Sequence, residues 1–234
     1  NLYFWLLLIV SIVFMAISSR MAGEVYDTGT YPVTWQMLLV LNGTLKLFIY
    51  IYIAFFSGEL LFRERSCGMH ELISVQPRVR MQQLWAKFLT IISGVAVMLI
   101  FLIACGITAQ ILRDYYNIEI GLYLKDIFAL RLPGFVIFAF LAFFLHLLIN
   151  NKYFGYAAIL IFFLIQNYVL QPLVGHNLLV FGGRPNLIYS DMNGFGYDFG
   201  VSILFILYWI LFSVLLFMLG SLIFDDGSQP GIKS

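Results

Sequence analysis

The chain of 234 residues is 62% hydrophobic and 18% aromatic, with 11% charged residues and a formal net charge of +1, and its mean hydropathy is +0.95. Soluble domains carry roughly 45–50% apolar and about 25% charged residues, so this chain cannot cover a water-facing surface, and disorder needs the opposite composition. Near-neutral charge without a basic block excludes a nucleic-acid footprint, and two cysteines, Cys67 and Cys105, make neither a disulfide framework nor a four-ligand zinc site, which leaves an integral membrane protein.

A helix rising about 1.5 Å per residue needs roughly 20 apolar residues to cross a ~30 Å hydrocarbon layer, whereas barrel strands alternate polar and apolar. Six long apolar runs, 2–18, 37–57, 88–112, 134–149, 153–173 and 201–224, predict an all-α polytopic membrane protein with six transmembrane helices in one domain over 1–224. The first run opens on Asn1 rather than Met, from which a longer native chain is expected. Its aromatic content, and its lack of a basic start and a small-residue cleavage site, set it apart from a signal peptide.

The second run carries Asn42, Lys46 and Tyr50 at i, i+4 and i+8, on one helix face. A central lysine costs roughly 2.5–3.5 kcal/mol on insertion scales, so it should face protein or water. Two roles fit this face: a polar wall on a translocation path or subunit seam, and hydrogen-bonded glue between helices. The Asn42-Gly43-Thr44 sequon falls inside the span, which excludes its use for glycosylation.

The loop 58–87 follows. Leu60, Leu61 and Phe62 continue the second span, then comes Arg63-Glu64-Arg65, and Gly68 breaks the run. Residues 69–75 read as one short helix before Pro77, and Val79, Leu84 and Trp85 feed the third span. Such a helix suits either a cytoplasmic docking site or a plain interfacial position. His70-Glu71 opens like a zinc-protease helix, but the position of the second histidine is Ser74, and Cys67 with His70 has no second ligand pair. Arg63, Arg65, Arg78, Arg80 and Lys87 make this the most positive loop. With Lys152 and Lys233 its side holds seven positives, against Arg20, Arg113, Lys125, Arg131 and Arg184 on the other. The loop is therefore expected in the cytoplasm, with both termini.

On the opposite side, 113–133 has Leu124, Ile127 and Phe128 at helical spacing, which predicts a short interfacial helix. His146, near the inner end of the fourth span, reads as an interfacial histidine. The fifth span carries Gln166, Asn167 and Gln171, again for a path, a seam or helix–helix bonding. The outer stretch 175–200 is rich in glycine, and Gly194-Phe195-Gly196 followed by Gly200 lacks the dinucleotide-binding spacing. Trp35 and Trp85 lie near span ends as interfacial aromatics do, while mid-span Trp209 suits core packing. The tail 225–234 is polar and expected in the cytoplasm. Its Gly231-Ile232-Lys233-Ser234 lacks phosphate-loop spacing, so ATP would have to be handled by a separate chain.

The order Arg63-Glu64-Arg65, Gly68, Glu71-Leu72-Ile73, Pro77 and Lys87, set between the second and third of six spans, resembles the permease subunits of type-2 ATP-binding-cassette exporters. The resemblance runs from about residue 45 to 224. It implies that this loop is a coupling helix seated in a groove of a nucleotide-binding subunit. Arg63, Glu64, Arg65, Gly68, Met69, His70, Glu71, Ile73 and Pro77 would be the partner-binding residues. Met69 departs from the family, which has threonine there. The resemblance further implies no cofactor or metal in this chain, ATP and Mg on the partner ATPase, a second permease half (identical or pseudo-symmetric) and a bacterial cell membrane. In that family the stretch between spans five and six often folds back as short helices, as 175–200 is expected to do. Asn150-Asn151-Lys152 with Gly155, and Tyr189-Ser190-Asp191-Met192-Asn193-Gly194, resemble the subclass joined to a zinc aminopeptidase domain. The function implied is the membrane subunit of an ATP-driven exporter. The alternatives are a polytopic membrane enzyme, for which Lys46 and His146 are a thin set of ionisable groups, and a membrane anchor for a peptidase.

Overall fold

The structure is a computed structural model, and it describes residues 2–21, 24–25, 28–29, 32–66, 80–149, 151–185, 187, 189–190 and 192–223. Among them six helices are long and apolar enough to cross a membrane. They are α1 (Leu2–Met21), α2 (Thr34–Ser66), α3 (Arg80–Ile111), α4 (Ile120–Ile149), α5 (Lys152–Leu173) and α6 (Asp198–Ile223). A two-residue antiparallel ladder, β1 (Glu24–Val25) against β2 (Thr28–Gly29), follows α1.

The central helix is α4, which packs against α2, α3, α5 and α6. More than half of its apolar window is buried, against a third or less in every other span. The outward faces of α1, α5 and α6 carry exposed leucine, isoleucine and phenylalanine, the surface that lipid covers.

Helices α2 and α3 have 33 and 32 residues. At 1.5 Å per residue each is roughly 50 Å long, well beyond a ~30 Å hydrocarbon layer. The turns beyond the apolar runs lie beside the α2–α3 connection, where Leu61, Phe62, Leu84 and Phe88 keep the pair packed on the bundle; this end of α2 and α3 is called the stalk end. The loop expected over 58–87 narrows to 67–79, and those residues lie outside the described ones. At the stalk end an aromatic layer locks α3, α4 and α6. Phe88 stacks on Phe140 with centroids 4.0 Å apart, and Trp85 meets Phe217 edge-on at 5.1 Å. Trp85, expected at an interface, belongs to this layer.

The fourth span departs from expectation. It starts at Ile120, not near 134, and takes in the residues expected as a separate interfacial helix. The reason is a π turn, Lys125–Arg131, ending two residues before Pro133. Proline lacks an N–H and its ring crowds the carbonyl four residues back; a widened turn accommodates it, so the helix continues where the sequence suggested a stop. The same device recurs in α5, where the π turn Ile165–Leu170 ends two residues before Pro172.

At the end remote from the stalk, a buried polar group joins three segments. The Gln110 amide donates to Pro32 O at 2.9 Å, and the Tyr123 hydroxyl donates to Gln110 Oε1 at 2.8 Å. Every described hydrogen-bonding atom of the Gln110 side chain thus has a partner, as a buried amide in lipid requires.

Candidate functional site

Helices α2, α4 and α5, with the segment 174–185 and α6, surround a cavity of about 240 Å³. It sits among the first halves of α2 and α6, the middle of α4 and the second half of α5, on the side of the bundle remote from the 67–79 connection. From α2 come Asn42, Lys46 and Tyr50, on successive turns. The Tyr50 ring packs among Phe135, Phe138 and Phe163 at centroid distances of 5.6, 4.4 and 5.0 Å.

The two π turns supply the facing polar groups. In a regular α-helix residues 126 and 131 would stand roughly 140° apart. The wider turn brings them together. Arg131 Nε donates to Asp126 Oδ2 at 3.3 Å and Nη2 to Oδ1 at 3.4 Å. The Asn42 amide donates to the same carboxylate at 3.3 Å. Asp126 is 3% exposed, so its charge is held by these contacts rather than by water. In the α5 π turn, Lys46 Nζ donates to Asn167 Oδ1 at 3.4 Å, while the Asn167 amide donates back to Phe163 O at 2.8 Å. The Gln166 amide donates to Phe181 O, across to the connection.

That connection closes the remote end. It holds a 3₁₀ turn at Asn177–Leu179, then Gly182 at φ +67°. At Gly183 any Cβ would stand 2.4 Å from Asn177 O. The Gly183 carbonyl accepts from Trp209 Nε1 at 3.1 Å, and Arg184 Nη1 donates to Leu130 O. Phe181 inserts between α5 and α6, with its ring against Phe162, Trp209 and Phe212. The Arg184 guanidinium is half-buried in the cavity wall beside Arg131.

A second cluster lies at the stalk end. His146, expected at an interface, is fully buried. Its Nε2 is 3.4 Å from Ala54 O, and its ring meets Tyr156 and Phe62 edge-on. Two glycines from different helices make the slot. A Cβ at Gly155 would stand 2.1 Å from His146 Nδ1, and one at Gly58 2.8 Å from its Cε1. Beside it Lys152 Nζ pairs with Glu59 at 2.5 Å, a partly exposed pair worth at most about 1 kcal/mol.

The stretches behind the resemblance to the aminopeptidase-linked subclass have structural roles. Asn151 caps α5, its Oδ1 accepting from Tyr153 N and Phe154 N at 3.1 and 3.4 Å, and Gly155 seats His146. In the outer motif Ser190 and Gly194 exchange backbone hydrogen bonds of 3.0 and 2.7 Å, with Gly194 at φ +58°, which makes a tight turn. Asn193 N donates to Ser190 Oγ at 3.2 Å, and the Tyr189 hydroxyl reaches Glu119 at 3.5 Å. Asp191 lies outside the described residues.

The structure therefore brings Asn42, Lys46, Tyr50, Gln166 and Asn167 into one cavity, and leaves Tyr189, Ser190, Asn193 and Gly194 apart from it. Arg63 is exposed at the end of α2, and the backbones of Glu64 and Arg65 continue the same helix. Gly68, Met69, His70, Glu71, Ile73 and Pro77 lie outside the described residues. Arg131 and Arg184, counted from sequence as outer-loop positives, line the cavity, with Asp126 beside them. The signal that could have found the pair is a proline two residues after Arg131, which marks a helix about to widen. Arg184 left no local signal, since only the folding back of the connection brings it in.

A family model described as ABC-2 family transporter protein matches residues 1–167. No curated protein matches the chain, and no solved structure does.

Proposed function

The chain belongs to the ABC-2 family of transporter proteins, and from that premise we propose that it forms one membrane half of an ATP-driven exporter. As a multi-pass permease subunit it performs no covalent chemistry of its own. In this reading a cytoplasmic ATPase binds ATP and Mg and receives the 68–77 segment between α2 and α3. A second permease half, identical or pseudo-symmetric, completes the path. Closure of the ATPases moves the stalk end, and the packed bundle transmits that movement to the remote side. The reading places both termini and the stalk end in the cytoplasm of a bacterial cell. Attachment to a zinc aminopeptidase is its narrower form, supported by the resemblance at 150–155 and 189–194.

The observation that carries the proposal is the polar cavity in a family transporter, built on the side of the bundle remote from the stalk end. A lysine, two arginines and several amides inside an apolar bundle are costly unless they face a cargo or water. In this reading α2 and α3, which pack into the bundle and both end at the 67–79 connection, carry the movement.

Sidedness is tested by labelling. With Cys67 and Cys105 replaced by serine, Ser190→Cys should react with a membrane-impermeant thiol reagent in intact cells. Ser66→Cys should react only after permeabilisation. Labelling of position 66 but not 190 in intact cells inverts the topology and removes the proposed ATPase contact.

A further inference from the structure

The cavity holds more positive charge than its own residues balance. Among the described residues its surroundings contain three cations, Lys46, Arg131 and Arg184, and one carboxylate, Asp126. That carboxylate is already taken, by two contacts from Arg131 and one from Asn42. Lys46 meets only a neutral amide oxygen, and Arg184 a backbone carbonyl. Neither neutral acceptor cancels a charge, and the site lies at membrane depth, where unbalanced charge is expensive.

The rest of the wall shows what would balance it. Gln166 and Asn167 add amide groups, while Tyr50, Phe138, Phe163 and Trp209 add aromatic faces. A small polar pocket rimmed by rings suits a charged head group attached to something apolar. An apolar part would leave between α5 and α6, by displacing one side chain. α5 and α6 share little packing of their own, and Phe181 of the connection fills the space between them. Elsewhere on its surface α5 exposes Leu164, Ile165 and Tyr168.

We propose that this cavity is a binding site for one anionic group, a carboxylate or phosphate, held by Lys46 and Arg184 with Arg131 fixed beside them by Asp126. Phosphate and carboxylate geometry match a guanidinium fork and a mobile ammonium together. The group arrives either on a membrane amphiphile, its chain lying between α5 and α6, or as a free anion. Where the exporter reading also holds, this gives the class of cargo. The site itself does not depend on that reading.

The test is binding, not transport, so that its failure and the failure of the exporter reading are separate. The full protein, in its native assembly in a neutral maltoside detergent, is titrated with dodecyl phosphate, dodecyltrimethylammonium and inorganic phosphate. Binding is followed by thermal shift and native mass spectrometry. Dodecyl phosphate is expected to bind and stabilise, and dodecyltrimethylammonium is not. Lys46→Met and Arg184→Gln should each weaken dodecyl phosphate at least tenfold, with Arg113→Gln near wild type. Inorganic phosphate binding with the same sensitivity to the two variants supports a free-anion site. Sensitivity confined to dodecyl phosphate supports an amphiphile site. Equal binding of the anionic and cationic dodecyl probes to the unaltered protein would overturn the proposal, whether or not any variant folds. Unchanged dodecyl phosphate affinity in folded Lys46→Met and Arg184→Gln would overturn it too.

Discussion

Replacing Gly155 with leucine is expected to destabilise the bundle by about 3 kcal/mol, at the upper end of overpacking costs, with Tm in neutral detergent falling by roughly 6–12 °C. The Cβ alone would stand 2.1 Å from His146 Nδ1 and 2.6 Å from Cε1. The ring cannot step aside, because Gly58, Tyr156 and Phe62 bound it and Ala54 O lies 3.4 Å from its Nε2. The strain would fall on α2, α4 and α5 together. Adding His146→Ala should recover most of the loss, since the two changes share one space and cannot be additive. A Gly155→Leu protein that melts with wild type would mean that the slot is not packed as described.

Reversing one charge in the 68–77 segment, Glu71→Lys, should sharply reduce transport while insertion and folding persist. In the proposed complex Glu71 makes a partly desolvated charged contact with the ATPase. Its reversal substitutes repulsion, which at about 3 kcal/mol corresponds to more than a hundredfold weaker docking. Transport and its coupled ATP hydrolysis should fall together. A variant that retains both the complex and transport places the docking surface elsewhere.

The six spans were legible because run length is a one-dimensional property, and lipid demands about 20 apolar residues of every crossing helix. The polar face of α2 was legible for a similar reason, since Asn42, Lys46 and Tyr50 keep the four-residue spacing of a regular helix. Regularity also marks where reading stopped. Asp126 and Arg131, five residues apart, fall on different faces of an α-helix and meet only because a π turn widens the helix before Pro133. Gln166 and Asn167 were named from the sequence as path or seam candidates, but the π turn before Pro172 on which they sit was not legible. The same widening moved the start of the fourth span to Ile120. The burial of His146 escaped reading for a different reason. Its burial is made by glycines 88 residues before it and 9 after it, and nothing in its own neighbourhood announces them. Trp209 is buried within its span, as read from the sequence, whereas Arg184 belongs to the cavity through a connection that folds back onto the bundle, a tertiary event with no local period.

The central claim is that ATP-driven motion enters this permease through the 68–77 segment between α2 and α3. The measurement that tests it most directly is photo-crosslinking from position 73 in native membranes, with a photoreactive residue replacing Ile73 so that Glu71 stays in place. The account predicts a product with a soluble chain carrying the G-x-x-x-x-G-K-[ST] phosphate-binding sequence, its yield changing when ATP and Mg are added. A residue-73 product formed only with lipid or with copies of this same chain, in membranes where transport is intact, would contradict it.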